Sequence, residues 1–361
     1  MSITTIESKK TALTEQWKEL LQSRPNLRIR DAAAAIGVSE AELLSTKTGG
    51  DVIRLQGPWP DLLVGFKNLK HVMVLTRNEA CVLEHKGPFQ KIDIVGSGAH
   101  SMATVIGPIE SRVFFQSWHI AFAVREEKSD RVLQSIQIFD KAGEAIMKVY
   151  VQDKSNEAAY KEIVETFRAP EQSADLGLTP WKEETYNENP DTEAFLNEWA
   201  ELKDTHDFFG MLRRHKVHRY RAIELANGRF TYPVDAQQSP QKILDEAAAT
   251  KLPIMIFAGN RGHIQIHQGK VRTIRVFERG ENECQRWLNV LDPEFNMHLR
   301  MDLVDKAWVV KKPTSEGDVT SVELFDKERN LVAQFFGLRK PGIPEREAWR
   351  ALVDSLGTVN S

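Results

Sequence analysis

The sequence predicts an α+β fold built by internal duplication, in which two similar halves each carry N-terminal helices followed by a large antiparallel β-sheet. Three observations predict it. Helical periodicity precedes strand-like alternation in both halves. Matching residues recur between the halves at a constant spacing. A proline-rich, acidic segment separates the halves. Because one helix-plus-sheet unit is used twice, we expect a cleft at the junction of the two copies.

The repeat is clearest where Phe139-Asp140-Lys141 matches Phe325-Asp326-Lys327, a spacing of 186 residues (325 − 139 = 186). The same spacing relates three more pairs: Ala121 with Ala307, Val124 with Val310, and Ser135 with Ser321. Upstream, His85 and His267 match beside glycine, where a shared turn explains both and a weaker ligand role for His85 is the alternative. We predict an N-terminal repeat over 1–168, a linker over 169–190 and a C-terminal repeat over 191–361.

Composition limits the possible classes of protein. At 361 residues, with 41% hydrophobic and 27% charged residues, the chain should fold into two globular domains. No apolar run is long enough to span a membrane and the N-terminus has no signal core, so we expect a cytoplasmic protein without membrane insertion. Cys81 and Cys284 are expected to be reduced. The net charge of −3 argues against a surface built entirely for nucleic acid.

The first half begins with helical patterns. Residues 11–21 predict an amphipathic helix, and 28–44 a helix pair broken at Gly37, with Ser39 capping the second helix and Glu42 three residues later. The pair resembles a helix-turn-helix superficially. Its second helix begins with acidic residues, which repel phosphates, so we expect a packing pair.

Strand patterns follow at 72–76, 80–85, 91–95 and, as the longest run, 111–124. With a period of two, four side chains of that run should share one face: Arg112, Phe114, Gln116 and Trp118. The second half repeats the order, with helices at 191–202, from His206 and from Pro240, strands at 253–258, 322–325 and 332–337, and a closing helix over 345–356.

The segment around His206 carries the most specific chemistry. Asp204 can act as an N-cap with Asp207 three residues later, which places His206 in the first helical turn. The positive end of the helix dipole disfavours an imidazolium there, and a neutral ring can bind a metal. An apolar stripe is expected to pack this helix against the core; its members are Phe208, Phe209, Leu212 and Val217. The alternative is a histidine that merely caps or pairs.

Other histidines have simpler explanations. His263 and His267 share a strand face with Gln265 but lack a nearby carboxylate or thiol, so we expect surface polar residues of a strand. His215 and His218 lie among cations and should face solvent. Those cations form a basic cluster of five residues that is typical of a solvated helix face: Arg213, Arg214, Lys216, Arg219 and Arg221.

Two motifs identify a family. Leu-Lys-Asp-Thr-His-Asp-Phe-Phe at 202–209 and Gln-Phe-Phe-Gly-Leu-Arg at 334–339 resemble the bacterial HemS/HmuS/ChuS family of cytoplasmic heme-handling proteins, and the resemblance covers nearly the whole chain. It implies a heme-binding protein of bacterial heme uptake and iron acquisition, with the heme in the cleft between the repeats.

The resemblance also implies a site. His206 is the iron ligand, and Arg112 lies on the opposite face of the iron, acts through a water and is the catalytic candidate. Phe114 and Phe336 lie against the porphyrin, beside Gln334. Three cations anchor the propionates by charge-assisted hydrogen bonds: Arg219, Lys312 and Arg339. Lys311 adjoins Lys312, so which lysine reaches a propionate is open.

The resemblance leaves several functions open. The protein delivers heme or degrades it as a heme oxygenase-like oxidoreductase, with an inner-membrane heme importer, a heme oxygenase or a reductase as possible partners. The product, the electron donor and the oligomeric state are not predicted. A heme-responsive DNA-binding regulator, using the 28–44 pair or the basic cluster, is the alternative from another class. A duplicated scaffold without a ligand is the simplest one.

Overall fold

A computed structural model describes residues 3–128, 130–279, 285–339 and 343–359. The chain divides into two compact units. Unit 1 comprises Met1–Arg77, Glu84–Lys182 and Asn260–Gln265. Unit 2 comprises Asn78–Leu83, Glu183–Gly259 and Ile266–Ser361. Each unit therefore includes one short segment from the opposite half of the sequence. The predicted division into repeats and linker, and the cleft at their junction, stay predictions.

The described residues of the first half form five α-helices and nine strands. The helices are α1 (Ile3–Ser23), α2 (Ile29–Ile36), α3 (Glu40–Ser45), α4 (Trp59–Gly65) and α5 (Glu157–Phe167). The strands are β1 (Val52–Leu55), β2 (Lys70–Arg77), β3 (Cys81–Gly87), β4 (Lys91–Val95), β5 (Met102–Ile106), β6 (Ser111–Phe114), β7 (Ile120–Glu127), β8 (Val132–Phe139) and β9 (Ala145–Ser155).

The second half repeats this order. Its helices are α6 (Thr192–Ala200), α7 (Asp207–His215), α8 (Arg219–Leu225), α9 (Ser239–Thr250) and α10 (Glu347–Asp354). Its strands are β10 (Thr231–Val234), β11 (Ile254–Gly259), β12 (His263–Gly269), β13 (Ile274–Arg279), β14 (Gln285–Leu291), β15 (Phe295–Arg300), β16 (Lys306–Lys312), β17 (Val319–Phe325) and β18 (Leu331–Gly337). The α+β class with large antiparallel sheets is confirmed.

The α2–α3 pair forms for the reasons that its sequence predicts. Gly37 ends α2 in the left-handed region, at φ 82°. The Ser39 side chain accepts from the backbone N–H of Glu42, whose carboxylate accepts from the backbone N–H of Ser39, which completes a capping box. Leu43 and Leu44 are buried, so α3 packs into the unit 1 core. This confirms the predicted helix pair.

The predicted strand over 111–124 is wrong in its middle. β6 ends at Phe114, a 3-10 turn spans Phe115–Ser117, and β7 begins at Ile120. Arg112 and Phe114 still share the less buried face of β6, as alternation requires. Gln116 is exposed and Trp118 is buried, because the turn rotates the backbone between them and Phe114.

The strand register confirms the duplication. In unit 1, Gln137 of β8 pairs with Lys148 of β9, and a bulge follows at Ile138/Phe139. In unit 2, Glu323 of β17 pairs with Gln334 of β18, and a bulge follows at Leu324/Phe325. The pairs and both bulges differ by the same 186 residues (323 − 137 = 186), so the two halves repeat the register of the sheet and its irregularity.

In unit 2, helices α6 to α8 pack on the sheet through a shared aromatic cluster. Trp199 of α6 contacts the Phe208 ring of α7 edge-on, with centroids 4.7 Å apart, and Tyr220 of α8 contacts Phe325 of β17 at 5.1 Å. Burial of these rings fixes the segment from His206 to Arg219 over β16, β17 and β18. Among the described residues, no helix combines the length and apolar character needed to cross a membrane.

Candidate functional site

His206 lies just before α7. The helix begins at Asp207, so the expectation that His206 occupies the first helical turn is wrong by one residue. Asp204 does not cap the helix as predicted; its Oδ1 accepts from the backbone N–H of His206 at 2.8 Å and from the His206 ring Nδ1 at 2.5 Å. The imidazole is 86% exposed. The charged group nearest to the ring is therefore the Asp204 carboxylate, and not the positive end of the helix as predicted.

This contact determines what the imidazole can do. A carboxylate only accepts hydrogen bonds, so the proton of the neutral ring is on Nδ1 and the lone pair is on Nε2. The hydrogen bonds from His206 lower the pKa of Asp204, which stays ionised at neutral pH. A carboxylate on the far nitrogen orients a metal-binding histidine and raises its basicity. His206 can thus offer one outward-facing nitrogen to a metal ion.

The predicted apolar stripe of α7 is only partly buried. Phe208, Leu212 and Val217 pack into the core, whereas Phe209 is 57% exposed. Phe209 lies three residues after His206, which places the two side chains on neighbouring positions of one helical face. The beginning of α7 therefore presents an imidazole and a phenyl ring together.

A buried carboxylate organises the predicted anchors. Glu323 of β17 is fully buried. Arg219, the first residue of α8, donates from Nε to Oε2 at 2.8 Å and from Nη2 to Oε1 at 2.7 Å, which forms a bidentate pair. The Arg219 guanidinium also lies 5.2 Å from the Phe208 ring centroid and 5.3 Å from that of Phe209. The anchor is thus connected to the helix that follows His206.

Three more side chains donate to the same oxygen. Oε1 of Glu323 accepts from Lys312 Nζ at 2.9 Å, from Gln334 Nε2 at 2.9 Å and from Ser321 Oγ at 3.1 Å. On β16, Lys312 is buried, whereas Lys311 takes the next position along the strand and its ammonium lies 5.7 Å from the Tyr232 ring centroid. Alternation along the strand therefore places Lys312, not Lys311, on the face that carries Glu323.

The charges of this cluster are unequal. Burial raises the pKa of the Glu323 carboxyl, but the charges of Arg219 and Lys312 lower that pKa by more than burial raises it. Glu323 therefore remains ionised. Two cations and one anion leave a formal charge of +1. Arg219 Nη1 is buried and has no hydrogen-bond partner among the described residues. A buried N–H without an acceptor is unfavourable, so this nitrogen is the free donor of the cluster.

The remaining predicted residues of unit 2 lie nearby. Phe336 neighbours Gln334 on the same face of β18, and its ring contacts Phe257 at 5.2 Å between centroids. Arg339 donates from Nη2 to Glu316 at 3.2 Å, and its positive charge contributes to the lowered pKa of Asp204. Gln334 thus connects the face of β18 that carries Phe336 to Glu323, and Arg339 acts on the charge of Asp204.

Arg112 and Phe114 belong to unit 1. Both are half-buried and point to the same face of β6. Arg112 donates from Nη1 to the carbonyl of Ser111 at 3.0 Å, and Nη2 lies 3.9 Å from Glu110. The guanidinium is thus held against its own strand, with charge and N–H groups available to a ligand. Their predicted roles opposite His206 stay predictions.

Several expectations about other histidines are wrong. His263 and Gln265 are fully buried and His267 nearly so, because the face of β12 that they share is covered. His263 Nδ1 lies 2.5 Å from the Thr76 hydroxyl, and the His267 ring stacks on Phe295. His215 is half-buried and bonds Glu198 at 2.7 Å, and the His218 side chain caps α8 by accepting from the Tyr220 backbone N–H. Each of these four histidines therefore has a structural partner.

Two further expectations concern buried side chains. His85 is buried on β3, and its ligand role stays open. Cys81 is buried on the same strand, and Cys284 lies outside the described residues. Within the described ranges, no three His, Cys, Asp or Glu side chains are grouped to hold a metal ion.

Comparisons with known proteins identify the family of this chain. Two segments, 37–167 and 216–356, match the model of the haemin-degrading HemS.ChuX domain. The chain belongs to the HemS/ChuX family. The family resemblance inferred from the sequence is thereby confirmed, and the two matched segments fall in the two halves of the repeat.

Individual HemS/ChuX relatives cover nearly the whole chain. The hemin transport protein HmuS of Yersinia pestis is 32% identical and covers 96% of this chain and 97% of its own. The heme-binding protein PhuS of Pseudomonas aeruginosa is 40% identical with a TM-score of 0.89, covering 97% of this chain and 99% of its own. The heme-degrading enzyme ChuS of Escherichia coli O157:H7 is 31% identical with a TM-score of 0.87, and the match covers 96% of this chain and 99% of the ChuS chain. These names give no support to the DNA-binding alternative.

The fit of a heme to this HemS/ChuX protein rests on its own residues. Unit 2 contains an exposed imidazole, one exposed and one partly buried aromatic ring, and a buried guanidinium N–H that has no partner within the described ranges. These groups match iron, an apolar macrocycle and a carboxylate, respectively. Sequence reasoning missed Glu323. An acidic residue inside the apolar stretch Val322-Glu323-Leu324 was the available signal, since a buried carboxylate requires cations around it.

Proposed function

We propose that this HemS/ChuX protein is a cytoplasmic heme-binding protein of bacterial heme uptake and iron acquisition, with His206 as the axial ligand. The observation that carries the proposal is the exposed imidazole whose Nδ1 is held by Asp204. Transport, binding and degradation of heme in named relatives support the same ligand class.

Different residues are expected to make different contributions to heme binding. Asp204 orients the ring of His206 so that Nε2 faces the iron. Phe209 and Phe336 cover apolar macrocycle, and each 100 Å² removed from water contributes about 2.5 kcal/mol. Arg219 and Arg339 supply donors for carboxylates, each worth roughly 1.5–3 kcal/mol when sheltered. We expect apolar burial to provide most of the affinity and His206 to fix the orientation.

The same residues serve delivery or ring opening. Heme bound through one protein nitrogen is readily exchanged, which suits a carrier. Ring opening would require an external reductant, O₂ and a polar group near the iron, and Arg112 would be the candidate because a guanidinium can stabilise developing negative charge. Incubating the hemin complex with ascorbate and catalase separates the two: loss of the Soret band indicates degradation, and an unchanged spectrum indicates a carrier.

A hemin titration tests the binding proposal. Absorption spectra of the wild type, His206→Ala and His119→Ala are compared at equal hemin concentrations. His119 is an exposed histidine of unit 1 and serves as the matched control. We expect His119→Ala to reproduce the wild-type spectrum and His206→Ala to bind more weakly with a shifted Soret band. Identical spectra for all three proteins would contradict the proposal.

A further inference from the structure

The fully buried Glu323 joins most of the cations and amides predicted to contact heme. Its two oxygens accept five hydrogen bonds, from Arg219 twice and from Lys312, Gln334 and Ser321 once each. Such convergence is unlike a surface ion pair, in which water competes for each charge. The cluster therefore has one defined arrangement, and that arrangement determines which donor remains free.

We propose that Glu323 is a positioning residue: it fixes Arg219 so that Nη1 faces one carboxylate of the ligand, while Lys312 acts on Glu323 and not on the ligand. The inference rests on the proposed heme-binding function and deepens it. It assigns one ligand carboxylate to this cluster and changes the role expected for Lys312.

The geometry of Arg219 supports the first part. Nε and Nη2 are both used in the bidentate pair with Glu323, and the side chain is only 11% exposed. A guanidinium is planar and rigid, so fixing two nitrogens also fixes the direction of the third. That third nitrogen, Nη1, is the buried atom without a partner in the described part of the chain.

The surroundings of Lys312 support the second part. Its side chain is 4% exposed, its ammonium lies 2.9 Å from Glu323, and the Phe208 ring centroid lies 4.8 Å away. An ammonium in this position is already paired and shielded by an aromatic ring. It contributes the charge that keeps the cluster at +1, which one ligand carboxylate neutralises.

Affinity for hemin relative to iron protoporphyrin IX dimethyl ester tests the proposal. The dissociation constant of the dimethyl ester divided by that of hemin measures the contribution of the ligand carboxylates. We expect this ratio to be about 10 to 100 in the wild type. Arg219→Gln should reduce the ratio to about 3 or less. Arg219→Lys should do the same, because it keeps the charge but loses the rigid fork.

Glu323→Gln discriminates between positioning and charge. It makes the cluster more positive, so a purely electrostatic site would bind hemin more tightly. Positioning predicts the opposite: the ratio falls at least fivefold, toward that of Arg219→Gln. The double variant Glu323→Gln/Lys312→Met should show no further loss, since Lys312 acts through Glu323. It also removes both buried charges, which supplies a second protein if Glu323→Gln alone does not fold.

Each remaining outcome is decisive. An undiminished ratio in Glu323→Gln or Arg219→Lys, or a further tenfold loss in the double variant, would overturn the proposal. The Soret band of the hemin complexes reports His206 separately. If that band does not depend on His206, the proposed ligand is wrong while the ratios still test Glu323; if the wild type binds no hemin, both proposals fail.

Discussion

At the scale of single residues, one carboxylate determines which ring nitrogen of His206 faces outward. Asp204 holds Nδ1 of His206 and leaves Nε2 outward. The sequence placed both residues at a helix start but did not reveal this pairing. Whether a side chain two residues away accepts from the ring or from the helix N–H groups depends on χ angles, which a local pattern does not determine.

Replacing Asp204 tests this pairing. Asp204→Ala should weaken hemin binding by about 10- to 100-fold, because the loss of the partner on Nδ1 frees the ring to rotate. The measurement is a hemin titration followed at the Soret band. Glu201→Ala, at an exposed acidic residue of the same loop, is the control and should match the wild type. Equal losses in the two variants would point to net charge instead.

His263 gives a prediction about pH and stability. Burial lowers its pKa to about 3, from the ordinary value of 6.5 for a histidine. The unfolded chain therefore binds a proton that the folded chain does not, so stability is present above pH 6.5 and is lost as pH falls toward 3. The expected slope is roughly 1.4 kcal/mol per pH unit within that window.

The comparison of His263→Gln with the wild type isolates this titration. Between pH 6.5 and 4, the Tm of the variant should fall less steeply than that of the wild type, whatever its Tm at pH 7. His119→Gln removes an exposed histidine and should keep the wild-type slope. Parallel Tm curves for His263→Gln and the wild type would mean that His263 is not the proton-binding group.

At the scale of elements, α7 uses two adjacent aromatic residues for different purposes. Phe208 is 1% exposed and packs against Trp199, whereas Phe209 is 57% exposed. The sequence predicted the helix and its apolar character but assigned both rings to the core. Adjacent residues on a helix point about 100° apart, so only the position of the helix over the sheet decides which ring is covered.

The matched pair Phe208→Ala and Phe209→Ala separates packing from binding. Phe208→Ala should destabilise the protein by about 3–5 kcal/mol through a cavity in the core. Phe209→Ala should leave Tm nearly unchanged and weaken hemin binding about fivefold, since an apolar contact with the macrocycle is lost. Thermal melts and hemin titrations of both variants provide the check. A stable Phe208→Ala, or hemin affinity unaffected by Phe209→Ala, would contradict this assignment.

The strands show a similar limit of sequence reasoning. Alternation correctly placed Arg112 with Phe114 and Gln334 with Phe336. Alternation failed beyond Phe114, because the 3-10 turn Phe115–Ser117 contains no glycine or proline that would indicate a turn in the sequence. It also placed His263 at the surface, since alternation identifies which side chains share a face but not which face is covered.

At the scale of the whole molecule, the duplicated halves have diverged at the proposed site. Arg219 is the first residue of α8, and Glu40 is the first residue of α3, at a spacing of 179 residues (219 − 40 = 179). The same spacing relates His206 to Leu27. In unit 1, Glu40 pairs with Lys148, the counterpart of Gln334. In unit 1 the helix residue is thus the carboxylate and the strand residue is the cation, the reverse of Arg219 and Glu323, and the strand position equivalent to Glu323 is Gln137.

This divergence predicts one heme per chain. Unit 1 has Leu27 at the position of His206. It has the acidic residue Glu40, which is paired with Lys148, at the position of Arg219. A hemin titration at protein concentrations well above Kd should therefore reach its end point at one equivalent. His206→Ala should remove this tight end point without exposing a second one. Two equivalents bound with similar affinity would show that the first repeat also binds.

Rescue of His206→Gly by imidazole tests whether His206 binds the iron. We expect the hemin complex of this variant to have an altered Soret band, and added imidazole to restore the wild-type spectrum and affinity by replacing the missing ring. The same addition to His119→Gly should have no such effect. A His206→Gly complex that already shows the wild-type spectrum, with no response to imidazole, would contradict the assignment of His206 as the iron ligand.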